Sequence, residues 1–305
     1  MMPAILDTLR LPVVAAPMFL VTGPDLVIAA CTAGILGAFP TTNCRTASEL
    51  DDWMARITGA IDGRPWAANL ITHSTNARLA DDLALVARYR PPVVITALGS
   101  PAPVLDAVHA YGGIVLADVI DTKLAKKALA AGADGLACVS HGAGGHTGML
   151  SPLAFVSAVR QFHAGPLAVG GGIADGAGVA GAIAAGADLV YMGTRFIAAT
   201  ESLAQPAYKA MLADAQIADI VVSAAPTGTP ASWLRGSLIA AGYGDDGAPR
   251  PRDYGSTEDA HKRWRDIWGA GQGVHATTGE QPMADIVAEL EVGFRAARDR
   301  LAGFA

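Results

Sequence analysis

Apolar runs of six to eight residues recur along the first two thirds of the chain, each followed by a stretch in which apolar positions repeat with helical spacing. Eight runs stand out: VVAAPM (13–18), ILGAFP (35–40), WAANLI (66–71), VVITAL (93–98), IVLADV (114–119), GLACVS (135–140), LAVGGGI (167–173) and LVYMGTRF (189–196). Most lack in–out alternation, as expected of parallel strands covered on both faces. The intervening ASELDDWMARITGAI, TNARLADDLALVARY, SPAPVLDAVHAY, TKLAKKALAAG, LAFVSAVRQF and GAGVAGAIAAG often begin near Ser or Thr and end near Gly, which are helix start and stop signals. AAGAD occurs at 130–134 and again at 184–188, each time between a helix and a strand. Its glycine supplies a left-handed helix stop, so one loop design is used twice. Eight β–α units in roughly 200 residues predict an α/β fold, a (β/α)8 barrel. The competing doubly wound sheet usually has fewer strands, and its GxGxxG fingerprint after the first strand is missing.

From about residue 201 the pattern changes. Loop-like APTGTPASW and GYGDDGAPRPRDYGS precede WRDIWGAGQGVH and an amphipathic helix from Met283 to Leu301. The expected organisation is a barrel over 1–200 and a mostly helical extension over 201–305 packed on it as one structural unit.

Composition agrees with a large buried core: 51% of the 305 residues are hydrophobic, only 16% are charged, and 35 are glycine. A net charge of −6 gives no electrostatic case for nucleic acid or an anionic membrane. Leu26–Cys44 and Gly135–Val159 contain no Asp, Glu, Lys or Arg, but glycines, proline and polar residues interrupt both. Those interruptions are costly in lipid and favour a protein core. MMPAILDTLRLPVV has no basic segment leading into a long apolar run, so no secretory leader is expected. Cys31, Cys44 and Cys138 form no CxxC, which suits a reducing cytoplasm without a disulfide or zinc framework.

Barrel chemistry sits at the C-terminal ends of the strands. The first run ends in Ala16-Pro17-Met18, the third in Asn69 with His73 beyond it, and the fifth in Asp118. The sixth leads into SHGAGGHTG (140–148), the seventh ends in Gly170-Gly171-Gly172 and the eighth in Gly193-Thr194. Glycines before a helix start let backbone amides approach an anion, and loops seven and eight are where barrels commonly hold phosphate. The alternative is a tight turn with no ligand. His146, in a glycine-rich loop at the mouth, suits a base, a hydrogen-bond donor to substrate, or a plain loop residue. His141 lies nearer the strand and reads as scaffolding, and His73 reads as a cap of the third loop. Asp118 either contacts a cofactor or starts the next helix. No GxSxG and no metal-ligand spacing is present, since HGAGGH is an i, i+5 pair without a third ligand.

Together LPVVAAPM (11–18), AGILGAF (33–39), WAANL (66–70), GADGLACVSHGAGGHTG (132–148), GGGIADGAGVAGAIAAGADLVYMGTRFIAATES (170–202) and IWGAGQGV (267–274) resemble the nitronate monooxygenase (2-nitropropane dioxygenase-like) family of FMN-dependent barrels. The resemblance implies FMN with its phosphate on Gly171, Gly172, Gly193 and Thr194, and Gly145 and Gly170 are expected among the cofactor-binding residues. It places the isoalloxazine across Ala16, Pro17, Met18 and Asn69, with Gln272 closing over its edge. His146 falls on the family's active-site histidine, a base toward a nitroalkane or a donor to a nitronate. The implied activity is oxidation of alkyl nitronates by O2 to a carbonyl compound and nitrite. Met18, Phe19 and Met149 would form an apolar pocket for a small aliphatic substrate. Family members that use NAD(P)H to reduce a quinone or an enoyl thioester share these blocks, so that activity is the alternative. A flavin-free barrel enzyme or binding module is a third. Where some members carry a lysine near the end of strand five, this chain has Asp118. Expected partners are a small-molecule substrate with O2 or NAD(P)H, and neither nucleic acid nor membrane; the oligomeric state is left open, a homo-oligomer included.

Overall fold

A computed structural model describes residues 4–243 and 264–304, so most of GYGDDGAPRPRDYGS lies outside the described residues. Eight parallel strands close into a barrel in chain order: β1 (Val13–Ala15), β2 (Leu36–Pro40), β3 (Trp66–Ile71), β4 (Val93–Ala97), β5 (Ile114–Val119), β6 (Gly135–Val139), β8 (Leu167–Gly170) and β9 (Leu189–Met192). β9 returns to β1 with Val13 opposite Val190 and Ala15 opposite Met192. Between β6 and β8 the chain forms the two-residue β7 (Gly145–His146), outside the barrel.

Alternate side chains of these strands fill the barrel, among them Val14, Leu36, Ala67, Ile95, Leu116, Ala168 and Leu189, all at most 1% exposed. Opposite faces pack under the helices α1 (Pro24–Ala33), α2 (Ala47–Ala60), α3 (Leu79–Tyr89), α4 (Ala102–His109), α5 (Thr122–Ala130), α6 (Pro152–Arg160) and α7 (Gly176–Ala184). This double coverage is why the strands read as unbroken apolar runs.

The AAGAD echo has a structural cause. Gly132 and Gly186 stop α5 and α7 with φ of +102° and +110°. The aspartate that follows then accepts a backbone amide from the start of the neighbouring strand. Asp134 Oδ2 takes the Val115 N–H at 2.8 Å and Asp188 Oδ2 takes the Leu167 N–H at 2.8 Å. Each repeat therefore ends a helix and fastens two strands.

Several strands stop earlier than the apolar runs suggest. β8 ends at Gly170 because Gly171 and Gly172 adopt φ of +146° and +68°, which breaks the ladder. Beyond Gly193 the chain turns into the short helix α8 (Thr194–Ile197). The extension holds α9 (Pro206–Asp214), α10 (Arg235–Ala240) and the long α11 (Met283–Ala302), whose Met283, Ile286, Val287 and Leu290 join the main core. It also holds β10 (Ile220–Ser223) and β11 (Ala231–Leu234), which the helical reading of this region did not anticipate. β11 pairs antiparallel with both β10 and β7, so the extension clasps the loop after β6.

Candidate active site at the barrel mouth

The end of β1 is built as a braced wall. Ala16 donates its amide to the Met192 carbonyl at 2.8 Å, continuing the ladder one residue beyond the strand. The chain then turns sharply, with Met18 N–H on Thr22 Oγ1 at 3.0 Å. Asn43, after β2, holds this turn: Nδ2 donates to the carbonyls of Met18 (3.1 Å) and Thr22 (2.7 Å), while Oδ1 accepts the Leu20 N–H (2.9 Å). Leu20 has φ of +61°, a conformation that costs a leucine about 1–3 kcal/mol and persists only when its surroundings impose it. Met18 Sδ lies 3.3 Å from the position a Cβ would take on Gly193. The predicted residues Ala16, Pro17, Met18 and Gly193 thus stand on adjoining strand ends. Asn69, 6% exposed, donates Nδ2 to the Ile95 carbonyl at 3.2 Å across the β3–β4 step.

Asp118 and Tyr191 lie beneath the mouth, on the inward-facing sides of β5 and β9, each influencing the other's ionisation. Burial pushes the Asp118 carboxyl up to about 7, against the tyrosine's opposing pull, and raises the Tyr191 phenol well above its ordinary value. Asp118 does not start α5, because Asp121 caps that helix by accepting the Leu124 N–H at 2.7 Å. The carboxyl therefore faces the barrel interior, close to the expected cofactor floor.

At the β8 and β9 ends several glycines converge. The Gly142 carbonyl accepts amides from Gly172 (3.0 Å) and Gln272 (2.9 Å). Thr194 Oγ1 accepts the Gly271 N–H at 2.9 Å. Gln272 Oε1 lies 2.9 Å from where a Gly142 Cβ would stand, so this side chain covers Gly142 and borders Gly172. Among the described residues the amides of Gly171, Gly193 and Thr194 have no acceptor. Gly170, in contrast, is a strand residue packed against the Tyr191 carbonyl. Arg195, the arginine of MGTRF, is 4% exposed and donates to Gln281 (2.9 Å) and Glu289 (2.6 Å), tying the β9 end to α11.

The SHGAGGHTG loop is held from both sides. Thr147, buried, donates Oγ1 to the Ser140 carbonyl at 3.0 Å and closes the loop at its base. His141 donates its backbone amide to the Leu150 carbonyl at 2.7 Å, consistent with a scaffold role. Gly145 and His146 form β7, opposite Ser232 and Ala231. The His146 ring stands edge-on to Trp264 with centroids 5.5 Å apart, and Trp264 stacks on Trp233 at 4.5 Å. Glycine content suggests flexibility here, but strand pairing and aromatic packing fix the histidine. His73 accepts its own loop's Thr75 amide at 3.3 Å, a local cap.

A cavity of about 600 Å³ opens beside this loop, between the turns after β1, β2 and β3 and the extension. Leu20, Arg45, Arg78, Tyr208, Trp264 and Trp268 contribute to its wall. Met149, expected in an apolar substrate pocket, is 71% exposed and does not line it. Asn43, Tyr191, Arg45, Arg78 and Trp264 were not visible as site residues from spacing alone; the only hint was the polar TTNCR directly after an apolar run. Among the described residues no group of three or more His, Cys, Asp or Glu could hold a metal ion, and no helix is long and apolar enough to cross a membrane.

The chain is similar to several proteins named as oxidoreductases. A nitronate monooxygenase from Paraburkholderia phytofirmans is 28% identical over 96% of this chain and 95% of its own length. The "(3aS,4S,5R,7aS)-5-hydroxy-7a-methyl-1-oxo-octahydro-1H-indene-4-carboxyl-CoA dehydrogenase" of Mycobacterium tuberculosis is 31% identical over 75% of this chain and 64% of its own length. The crystal structure of a nitroalkane oxidase from Streptomyces ansochromogenes superposes with a TM-score of 0.85, at 27% identity, over 98% of this chain and all of that one. The family model described as nitronate monooxygenase matches residues 71–291, from the end of β3 into α11. An eight-stranded barrel, the glycine-rich β8 and β9 ends and a histidine clasped over the mouth thus coincide with a match across most of the chain, and the protein belongs to the nitronate monooxygenase family.

Proposed function

We propose that the protein is an FMN-dependent oxidase of alkyl nitronates, using O2 to give a carbonyl compound and nitrite. The observation that carries this reading is the clasped His146, held by β7–β11 pairing and the Trp264 edge at the open end of the barrel. The cofactor assignment draws support from the amides of Gly171, Gly193 and Thr194, which have no acceptor among the described residues and follow the two strands after which barrels commonly bind phosphate. Gly172 has a different part in this scheme, because its amide is already on the Gly142 carbonyl. It supplies the left-handed turn that aims its neighbours. Ala16, Pro17, Met18 and Asn69 form the adjoining wall for the ring system, and Gln272 covers the glycine side.

Bound FMN would supply the electron-accepting ring, and the protein supplies position and proton transfer. Neutral imidazole at His146 takes the proton from the carbon next to a nitro group, leaving a nitronate beside an imidazolium that stabilises it. Backbone pairing restricts the histidine to one approach, which lowers the entropic cost of that step. Trp264 excludes water from one edge of the ring. His146→Asn tests this assignment. Flavin content should be unchanged, and turnover of a neutral nitroalkane should fall about 100-fold or more, while turnover of preformed nitronate falls much less. Equal losses on both substrates would refute a base role.

A second reading, an FMN-dependent NAD(P)H oxidoreductase acting on a quinone or an enoyl thioester, is favoured by one observation. The cavity beside His146 carries arginines rather than a purely apolar lining.

A further inference from the structure

We propose that the cavity beside the barrel mouth is a binding site for an adenosine-phosphate group, as carried by coenzyme A thioesters and by nicotinamide dinucleotides. The inference rests on the barrel mouth being the reaction site, and not on which compound is oxidised there. Its volume of about 600 Å³ exceeds what a small nitronate needs and lies within the range of sites for cofactor-sized ligands.

Among the described residues the lining is rich in cations: Arg45, Arg78 and Arg265 contribute to the wall and no described Asp or Glu does. The arginines' own carboxylate partners are set back from the cavity. Arg78 is held by Asp82, a buried carboxylate at 2.9 Å, and by the Cys44 carbonyl. That grip fixes the guanidinium plane and leaves further N–H groups for a ligand. Arg265 pairs with Asp266 at 2.8 Å, and Asp266 does not line the cavity. The Arg45 guanidinium has no carboxylate or carbonyl partner among the described residues. A preformed fork and a second, uncommitted one on adjoining loops suit the several oxygens of a phosphate or pyrophosphate.

Aromatic groups complete the match. Trp268 and Tyr208 stack nearly parallel, 5.2 Å apart with an 11° interplanar angle, and both line the cavity. Tyr208 is pinned through its hydroxyl to the Gly269 carbonyl and Trp268 through its amide to Ser237 Oγ at 2.8 Å. A rigid aromatic wall next to guanidinium groups is what a purine with its phosphates requires. Trp264 belongs both to this cavity and to the packing around His146, so a ligand anchored here can extend its reactive end toward the histidine.

The test is equilibrium binding to the purified flavoprotein, read by tryptophan fluorescence and calorimetry without turnover. Coenzyme A, NADPH, NADH and ADP are titrated separately, with inorganic phosphate as the control. Saturable binding of at least one nucleotide, at least tenfold weaker in Arg45→Glu, is the expected result. Arg45 is exposed and makes no side-chain bond among the described residues, so this variant should fold. Arg45→Lys should recover part of the affinity. Binding of coenzyme A but not NADPH identifies a thioester substrate, and the reverse identifies an electron donor; binding of both points to the shared adenosine-phosphate group. No binding at millimolar ligand, or binding indifferent to Arg45→Glu, would overturn the proposal. A protein that binds nucleotide but leaves nitronates untouched sinks the functional reading above and leaves this one standing.

Discussion

Replacing Asn43 with alanine removes a single small side chain that fastens three backbone groups of the turn after β1. The Met18 carbonyl is the least affected, because it also accepts the Val21 and Thr22 amides at 3.2 and 3.0 Å. The Thr22 carbonyl and the Leu20 N–H lose the side-chain partner that holds them. At about 1 kcal/mol net for each hydrogen bond, those two contribute about 2 kcal/mol and Met18 a few tenths more. Leu20 adds to this, since its left-handed backbone is held by the bond that disappears. The expected cost is therefore about 2–3 kcal/mol, well above the change of a few tenths typical of a surface substitution. Urea unfolding at equal protein concentration measures it as a lower midpoint with unchanged slope. The same variant should release flavin more readily, because Met18 is part of the wall proposed for the ring. A stability change below about 0.5 kcal/mol, or the expected loss of about 2–3 kcal/mol with undiminished flavin retention, would show that Asn43 does not brace the flavin wall.

Three further outcomes follow from the same geometry. Gly172→Asp places a side chain at φ of +68° and a negative charge beside the phosphate cradle, so the purified protein should be colourless and take up no FMN on titration; full flavin occupancy would mean the phosphate binds elsewhere. Asp118 has its folded pKa raised from 3.8 to about 7, so the native state holds a proton that the unfolded chain has released between those values. Stability should accordingly decline from pH 4 to pH 7 relative to Asp118→Asn and level off above, and parallel pH profiles for the two proteins would contradict a buried carboxyl. Thr147→Val removes the hydroxyl that closes the 140–148 loop on the Ser140 carbonyl, and should cost about 1–2 kcal/mol while loosening His146; hydrogen exchange at the His146 amide checks it, with unchanged protection counting against the clasp.

The barrel was legible because its cause is repetitive. Strands buried on both faces give apolar runs, and the AAGAD loops recur because one aspartate geometry fastens strands at Val115 and Leu167. Positions on strand ends, such as Met18, Asn69 and Gly193, followed from the barrel rule once the strands were counted. What escaped depends on long-range pairing. Gly145–His146 is too short for any periodicity, and its partner Ala231 is 85 residues distant (231 − 146). β10 and β11 have four residues each and lie among turn-forming sequence. Arg45 and Arg78 gain meaning only because three loop ends and the extension enclose one cavity, a relation that no local spacing encodes.

Anaerobic mixing of the purified yellow protein with a preformed alkyl nitronate, and separately with NADH and NADPH, tests nitronate oxidation at the flavin. The nitronate alone should bleach the long-wavelength flavin band, and admitting O2 should restore it with release of nitrite. A flavin bleached by NAD(P)H and indifferent to nitronate would rule out the nitronate oxidase.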